Sequence, residues 1–397
     1  MDLVFFDPSG WDYDVATPTE RPLGGSQSAL CYLSAELAQR GHRVTLITGA
    51  ARPGKVLGVW CCAAARVPAE VFEQPRDALI VLNGPADVAT RLRGKLHPDT
   101  PLVLWTQHAA DQPAVKGLSH GSVRSDWDAL VAVSGWHRDT LIKRFDLDPT
   151  RVMTLRNAIA PRFESLFADE AHLRCEKAGP PVLTYTSTPF RGLAVLIEAF
   201  PELRKFDPAL TLRVFSSMQV YQHSAERDAY AALYARCRET NGVDYRGSIP
   251  QPELAAELRS ATALAYPSTF AETSCIAVME ALAAGLLVVT TDLGALGETS
   301  LGYGVLAPPL GDESRTVFAA RYGQVLRHAL AARSRAPAEY FAERWEQVQA
   351  VNSLGTWRVR AREWEAAIGA WRQRPPVTPQ AATPVVSPPK ETGRRPA

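Results

Sequence analysis

The stretch "PSTFAETSCIAVMEALAAGLLVVTT", residues 267–291, sets two carboxylates, Glu272 and Glu280, in an almost wholly apolar run. Its middle reads as a helix of small and apolar residues that buries most of its surface. In a helix this spacing is a little over two turns, which places the two carboxylates roughly 80° apart. Glu272 falls before or within the first turn, where a negative charge suits the helix dipole. Glu280 lies deeper, among Ile276, Met279, Leu282 and Ala283. It stands either on a solvated stripe or in a polar pocket. In a pocket, its partners are donors such as the neighbouring hydroxyls of a ribose or hexose. "LLVVTT" (286–291) then reads as a buried strand.

The same alternation continues outward. "VLTYT" (182–186), "LRVFS" (212–216) and "ALAYP" (263–267) read as strands spaced by helix-like segments. In the first half "LVFF" (3–6), "VTLIT" (44–48), "ALIVL" (78–82), "LVLWT" (102–106) and "ALVAV" (129–133) do the same. A long helix from about Ser26 to Gln39 carries Ala29, Leu30, Leu33 and Leu37 on one face and stops at Gly41. Such βαβ alternation predicts parallel sheets covered by helices. The expected fold is α/β, with two Rossmann-like doubly wound domains facing a cleft and a ligand held between them at the strand ends. The expected boundaries are 1–162 for the first domain, 163–181 for a polar linker and 182–350 for the second domain. A Trp-containing helix follows at 351–372, and a Pro-rich, disordered tail at 373–397.

At 397 residues and 46% hydrophobic, the chain buries a large core. Its charge, 43 − 42 = +1, provides no basic field of the kind that draws nucleic acid, and no such partner is expected. The six cysteines, Cys31, Cys61, Cys62, Cys175, Cys237 and Cys275, include no Cys-x-x-Cys pair and read as thiols of a reducing cytosol. "MDLVFFDPSG" lacks the positive start of a signal peptide, and no apolar run approaches the ~20 residues of a membrane span. The expected location is cytoplasmic. "RLRGKLHP" (91–98) is a small basic cluster, either a solvated face or a peripheral contact with an anionic membrane.

Three loops after strands carry the candidate chemistry. "RPLGGSQSAL" (21–30) places Gly24 and Gly25 ahead of a helix, where close backbone approach and free N–H groups favour phosphate. A turn with Ser26 as N-cap fits the same residues. The loop is neither Gly-x-Gly-x-x-Gly nor a Walker loop, which weakens dehydrogenase and NTPase readings. "YTSTPFRGL" (185–193) carries Arg191, either a bidentate clamp for a diphosphate or an ordinary surface arginine. "LVLWTQHAADQP" (102–113) ends a strand with His108 and Asp111. That histidine either bonds a sugar hydroxyl in the cleft or is satisfied within the core. Asp12-Tyr13-Asp14 and Asp146-Leu147-Asp148 match Asp-x-Asp, a pattern common by chance, and no metal is expected. The absence of Gly-x-Ser-x-Gly and His-Glu-x-x-His removes the simplest hydrolase and metalloprotease readings.

Taken whole, "YPSTFAETSCIAVMEALAAGLLVVTTDLGALGE" (266–298) resembles the donor-binding block of the family-4 glycosyltransferases, retaining enzymes of the two-domain GT-B fold. The matching features are Pro-Ser before the first Glu, the Glu-x7-Glu pair, Ala-x-x-x-Gly, a Val-Val-Thr strand and a Gly-x-x-Gly-Glu loop. The resemblance extends over residues 1–371 through Gly24-Gly25, "VAVSGWHRDTL" (131–141), "TLRNAI" (154–159), Arg191-Gly192 and "YRGSIPQPELAAEL" (245–258). Trp357 and Trp364 resemble the helix that crosses back to the first domain in that family.

This resemblance implies sugar transfer from a nucleoside diphosphate to an acceptor hydroxyl, on a glycan, a lipid-linked molecule or a small molecule. It implies a nucleotide-sugar co-substrate, no cofactor and no metal. By carry-over, Glu280 holds the ribose hydroxyls, Glu272 contacts the transferred sugar and Ile249 meets the base. Gly24, Gly25 and Arg191 stabilise the leaving diphosphate, and His108 lies beside the donor sugar. His108, Glu272 and Arg191 are the implied catalytic residues. The chain departs from the family at one point. The family has Gly-Arg, four residues, then Lys-Gly, whereas this chain has Tyr185-Thr186 and then Arg191-Gly192, so one cation is missing. The alternative reading is a GT-B protein that binds a nucleotide sugar without transferring it.

Overall fold

The computed structural model describes residues 1–222 and 228–373. Among these, the chain forms two α/β domains, each built on a sheet. The first sheet comprises β1 (Asp2–Phe6), β2 (Arg43–Thr48), β3 (Gly54–Val56), β4 (Val59–Ala63), β5 (Ala78–Leu82), β6 (Leu102–Trp105), β7 (Ala129–Ala132) and β8 (Val152–Thr154). Its order is β3-β4-β2-β1-β5-β6-β7-β8, parallel except for the β3–β4 hairpin. The second comprises β9 (Val182–Tyr185), β10 (Thr211–Val214), β11 (Val243–Tyr245), β12 (Ala263–Tyr266), β13 (Leu287–Thr291) and β14 (Val305–Ala307), all parallel, in the order β11-β10-β9-β12-β13-β14.

The strand order follows from residue type. Every residue of β5, β6, β7, β12 and β13 is buried, as expected of central parallel strands covered on both faces. In β1 the alternation of side chains sends Leu3 and Phe5 into one core and Val4 into the other. The helices that matter for the site are α1 (Gly25–Gln39), α2 (Gly135–Phe145), α3 (Leu193–Phe206), α4 (Gln251–Arg259), α5 (Ile276–Ala283), α6 (Pro337–Leu354) and α7 (Trp357–Arg372). Helix α7 returns to the first sheet. Its Trp364 ring centroid lies 5.0 Å from that of Trp105 and 6.4 Å from that of Phe5, while Trp357 lies 6.3 Å from Tyr32 on α1.

The stretch read as a linker, 163–181, contains a helix, Glu170–Glu176, anchored by Leu173 against Phe167 and Val348. One buried leucine in a polar segment leaves no helical stripe to read. The tail expected at 373–397 lies outside the described residues beyond Gln373. No helix among the described residues is long and apolar enough to cross a membrane. In the basic cluster 91–98, Leu92 and Leu96 are buried and Arg93 is turned inward onto Asp128 and the Asp126 carbonyl.

Candidate active site

In a doubly wound sheet the crevice opens where neighbouring strands send their connections to opposite sides. In the second sheet those neighbours are β9 and β12. The loop after β9 carries Arg191, and the loop after β12 carries Glu272. Gly192 joins them: its φ is 115°, and a Cβ there would stand 2.1 Å from the Pro267 carbonyl oxygen. Only glycine permits both the backbone angle and the approach. Arg191 Nη1 thereby comes within 2.5 Å of both Glu272 oxygens, and the Tyr266 hydroxyl donates to the same carboxylate. The guanidinium carbon also lies 4.6 Å from the Phe270 ring centroid. Burial works against its charge, but the adjacent Glu272 outweighs that and holds its pKa well above the ordinary value.

The helical relation expected between the two glutamates does not hold. Helix α5 starts at Ile276, with Cys275 extended before it. Glu272 belongs to the preceding loop, where it bridges to Gly294 and its carbonyl accepts from Ala295 N at 2.7 Å. Gly294, at φ 67°, admits that approach, since a Cβ would lie 2.5 Å from the Glu272 carbonyl. The carboxylate of Glu272 therefore serves Arg191 and Tyr266, not a helix dipole. Glu280 does lie on the helix, and it is in a pocket rather than on a solvated stripe, with 3% of its surface exposed. Burial pushes its pKa up to about 8, opposed by the Ala160 N–H and the Gln251 side-chain amide.

A cavity of about 220 Å³ is lined by Gly24, Gly25, Arg191, Ile249, Glu272 and Glu280, together with Gln27, Gln107, Thr186, Thr188 and Gln251. Six of the seven residues expected at a site thus share one wall-to-wall space. Helix α1 begins at Gly25 with Gly24 as N-cap, so Ser26 is not the cap. No side chain among the described residues caps this end, which is the positive end of a 15-residue helix. Gln27 on the same turn donates to Asp7 at 3.1 Å, and Asp7 also accepts from the Tyr13 hydroxyl and Ser9 N.

His108 is the exception. It is not among the residues lining the cavity; the neighbouring Gln107 is. The His108 Nδ1 lies 2.8 Å from Gln112 Oε1, and its carbonyl accepts from His137 Nε2 at 2.8 Å. Burial pulls the His137 pKa down to about 4, so that ring is neutral and structural. Gln107 faces the cavity because its Oε1 is taken by Asn157 Nδ2 at 3.0 Å and its carbonyl by the Thr273 hydroxyl at 2.9 Å. Nothing in the pattern "TQHAADQP" separates the amide from the histidine beside it.

The polar atoms of this cavity are unusual in their pairing. Buried groups in native proteins are nearly always hydrogen-bonded. Here Gln107 Nε2, the Thr186 and Thr188 hydroxyls and Arg191 Nε have no partner among the described residues, and neither has Gln251 Oε1. Two are N–H donors, two are hydroxyls that can donate or accept, and one is an acceptor. The complementary ligand is rich in acceptor oxygens, with a donor group beside Glu280 and Gln251.

A further residue, Glu298 of the Gly-x-x-Gly-Glu loop, joins the domains. It accepts from Gly135 N at 2.9 Å and Trp136 N at 3.2 Å, at the start of α2, and from Arg156 Nη2 at 2.7 Å. Burial alone would raise its pKa; these donors outweigh it and bring the value below the ordinary carboxylate range. Both Asp-x-Asp matches are used locally. Asp14 caps the turn at Ala16, and Asp148 caps the turn at Thr150. Among the described residues, no three acidic, histidine or cysteine side chains converge as a metal set.

Residues 180–326 match the family model described as glycosyl transferases group 1. This span contains Arg191, Ile249, Glu272 and Glu280. A D-inositol 3-phosphate glycosyltransferase of Corynebacterium efficiens is 30% identical over 174 residues, 41% of each chain. The chain spans less than half the length of the curated relatives it matches. Among solved structures, a glycosyltransferase from Rickettsia africae superposes with a TM-score of 0.68 at 14% identity, over 94% of this chain and 99% of the other. Anabaena HepE in complex with UDP-glucose gives 0.62 at 15% identity, over 93% and 100%. The fold is GT-B.

Proposed function

We propose that this chain is a family-4, retaining, metal-independent glycosyltransferase that moves a sugar from a nucleoside-diphosphate sugar to an acceptor hydroxyl. The polarity of the cavity carries this reading. Hydroxyls and an N–H on the β9 loop without partners among the described residues call for phosphate oxygens. The Glu280 carboxyl and Gln251 Oε1 call for hydroxyl donors such as those of a ribose. A nucleoside diphosphate supplies both in one molecule. The match of 180–326 to a glycosyltransferase family and the likeness to a UDP-glucose-bound fold point the same way.

In this reading, the α1 N-terminus at Gly24-Gly25 and the Arg191 guanidinium stabilise charge that develops on the departing diphosphate. Once phosphate oxygens share Arg191, Glu272 is freed to accept from hydroxyls of the transferred sugar. Ile249 packs on the base. Gln107, rather than His108, is the residue after β6 that reaches the donor. The first domain provides the acceptor side, and the acceptor is a glycan, a lipid-linked molecule or a small alcohol.

The test is to incubate the protein with UDP-, GDP- and ADP-sugars and a panel of acceptors, with and without EDTA, and to follow nucleoside-diphosphate release. The expected result is release with one donor, unaffected by EDTA, and a product whose anomeric configuration matches the donor by NMR. Inversion would contradict retention, and loss in EDTA would contradict metal independence. Donor binding without release for any acceptor would favour a non-catalytic nucleotide-sugar protein.

A further inference from the structure

Arg191 is the only lysine or arginine among the described residues that line the cavity, and its Nη1 is already committed to Glu272. A nucleoside diphosphate brings at least two negative charges, so this site holds too little positive charge to balance it by ion pairing. The position where the family places an arginine is Thr186, which follows Tyr185. Tyr185 is fully buried and points away, its hydroxyl donating to the Thr188 carbonyl at 2.8 Å. Both threonines are among the residues that line the cavity. Thr188 is 7% exposed, and neither its hydroxyl nor that of Thr186 has a partner among the described residues. Arg191 Nε, on the same loop, is in the same condition. Three polar groups without partners among the described residues thus lie within six residues of chain, at the strand end where the sheet opens.

We propose that Thr186 and Thr188 replace the absent cation: their O–H groups, with Arg191 Nε–H, donate to the phosphate oxygens in a cradle made largely of neutral hydrogen bonds. The inference rests on the donor-site reading above. Neutral donors reward correctly placed oxygens and respond little to ionic strength, whereas a second cation would make binding fall steeply with salt. The site therefore selects diphosphates by geometry more than by charge.

The test uses calorimetry with UDP, GDP, ADP and their parent nucleosides, on wild type, Thr186→Val, Thr188→Val and Thr186→Ser. Valine keeps the shape and deletes the hydroxyl; serine keeps the hydroxyl. Each valine is expected to weaken the preferred diphosphate about tenfold, the scale of one lost hydrogen bond, with nucleoside affinity unchanged. Thr186→Ser should stay close to wild type, and melting temperatures of the ligand-free variants should not fall. Unchanged diphosphate affinity in both valine variants would overturn the cradle. So would equal losses for diphosphate and nucleoside, which would signal a distorted loop. Absence of nucleotide binding by the wild type would overturn the donor-site reading, and the cradle with it.

Discussion

Both sheets reverse their strand order beside their first strand, β1 or β9, yet they treat the polar groups at these switch points in opposite ways. After β1 in the first sheet, Asp7 is buried and fully met: the Tyr13 hydroxyl reaches it at 2.6 Å, Ser9 N at 2.8 Å and Gln27 Nε2 at 3.1 Å. After β9 in the second sheet, Arg191 meets Glu272, but the Thr186 and Thr188 hydroxyls and Arg191 Nε have no partner among the described residues. A closed polar network rigidifies its surroundings, and an open one must be completed from outside. The first switch point is built as scaffold that holds the Gly24 turn. The second is, in the proposed reading, the donor site. Substitutions at the first should register in stability, and those at the second in ligand binding.

The largest expected effect belongs to Glu280. Its carboxyl titrates near pH 8 in the folded chain against an ordinary 4.5, so the folded state keeps a proton that the unfolded state has lost between those values. Stability is fullest below about pH 4.5 from this group and declines as pH rises through 8, by up to roughly 5 kcal/mol. Glu280→Gln should remove that slope, as read by urea unfolding at pH 5, 7 and 9. Parallel pH profiles for the two proteins would break the assignment of a buried, proton-bearing site. Next, Asp7→Ala strands the Tyr13 hydroxyl and the Gln27 amide and should cost ~1–3 kcal/mol of stability. Its nucleotide affinity should fall far less than that of Glu280→Ala; an equal fall would erase the distinction between scaffold and site. Glu298→Ala removes the acceptor that caps α2 across the domain boundary, and a loss of about 1–2 kcal/mol is expected in the same assay. The smallest effect is that of Thr186→Val, whose unfolding free energy should stay within about 0.5 kcal/mol of wild type, because the hydroxyl it deletes has no partner among the described residues.

The sequence displayed the central strands because parallel strands covered on both faces are written as unbroken apolar runs, as in "ALIVL" and "LLVVTT". It concealed the edges. Strands β3, β8, β11 and β14 close the two sheets, and each is three residues long, with at least two of them partly exposed. Too short to show a period, they carry no signal. The Glu-x7-Glu pair was legible as two carboxylates of one pocket, which the cavity bears out, but its geometry was not. A helical reading spans Glu272 and Glu280 together, whereas the bridge to Gly294 holds Glu272 in the loop. Gln107 escaped notice, and Glu298 was read within the Gly-x-x-Gly-Glu loop without a role, for a different reason. Their importance lies in contacts with Asn157, Thr273, Gly135 and Arg156, partners that only the folded chain brings near.

The most direct test of the central claim is a thermal-shift panel with UDP, GDP and ADP on wild type and Glu280→Ala. A ligand that binds only the native state raises its melting temperature by mass action. One diphosphate should raise the wild-type melting temperature by several degrees, at concentrations about a hundredfold above its Kd, and should leave Glu280→Ala unmoved. No shift with any of the three, or an equal shift in both proteins, would contradict a nucleotide site built around Glu280.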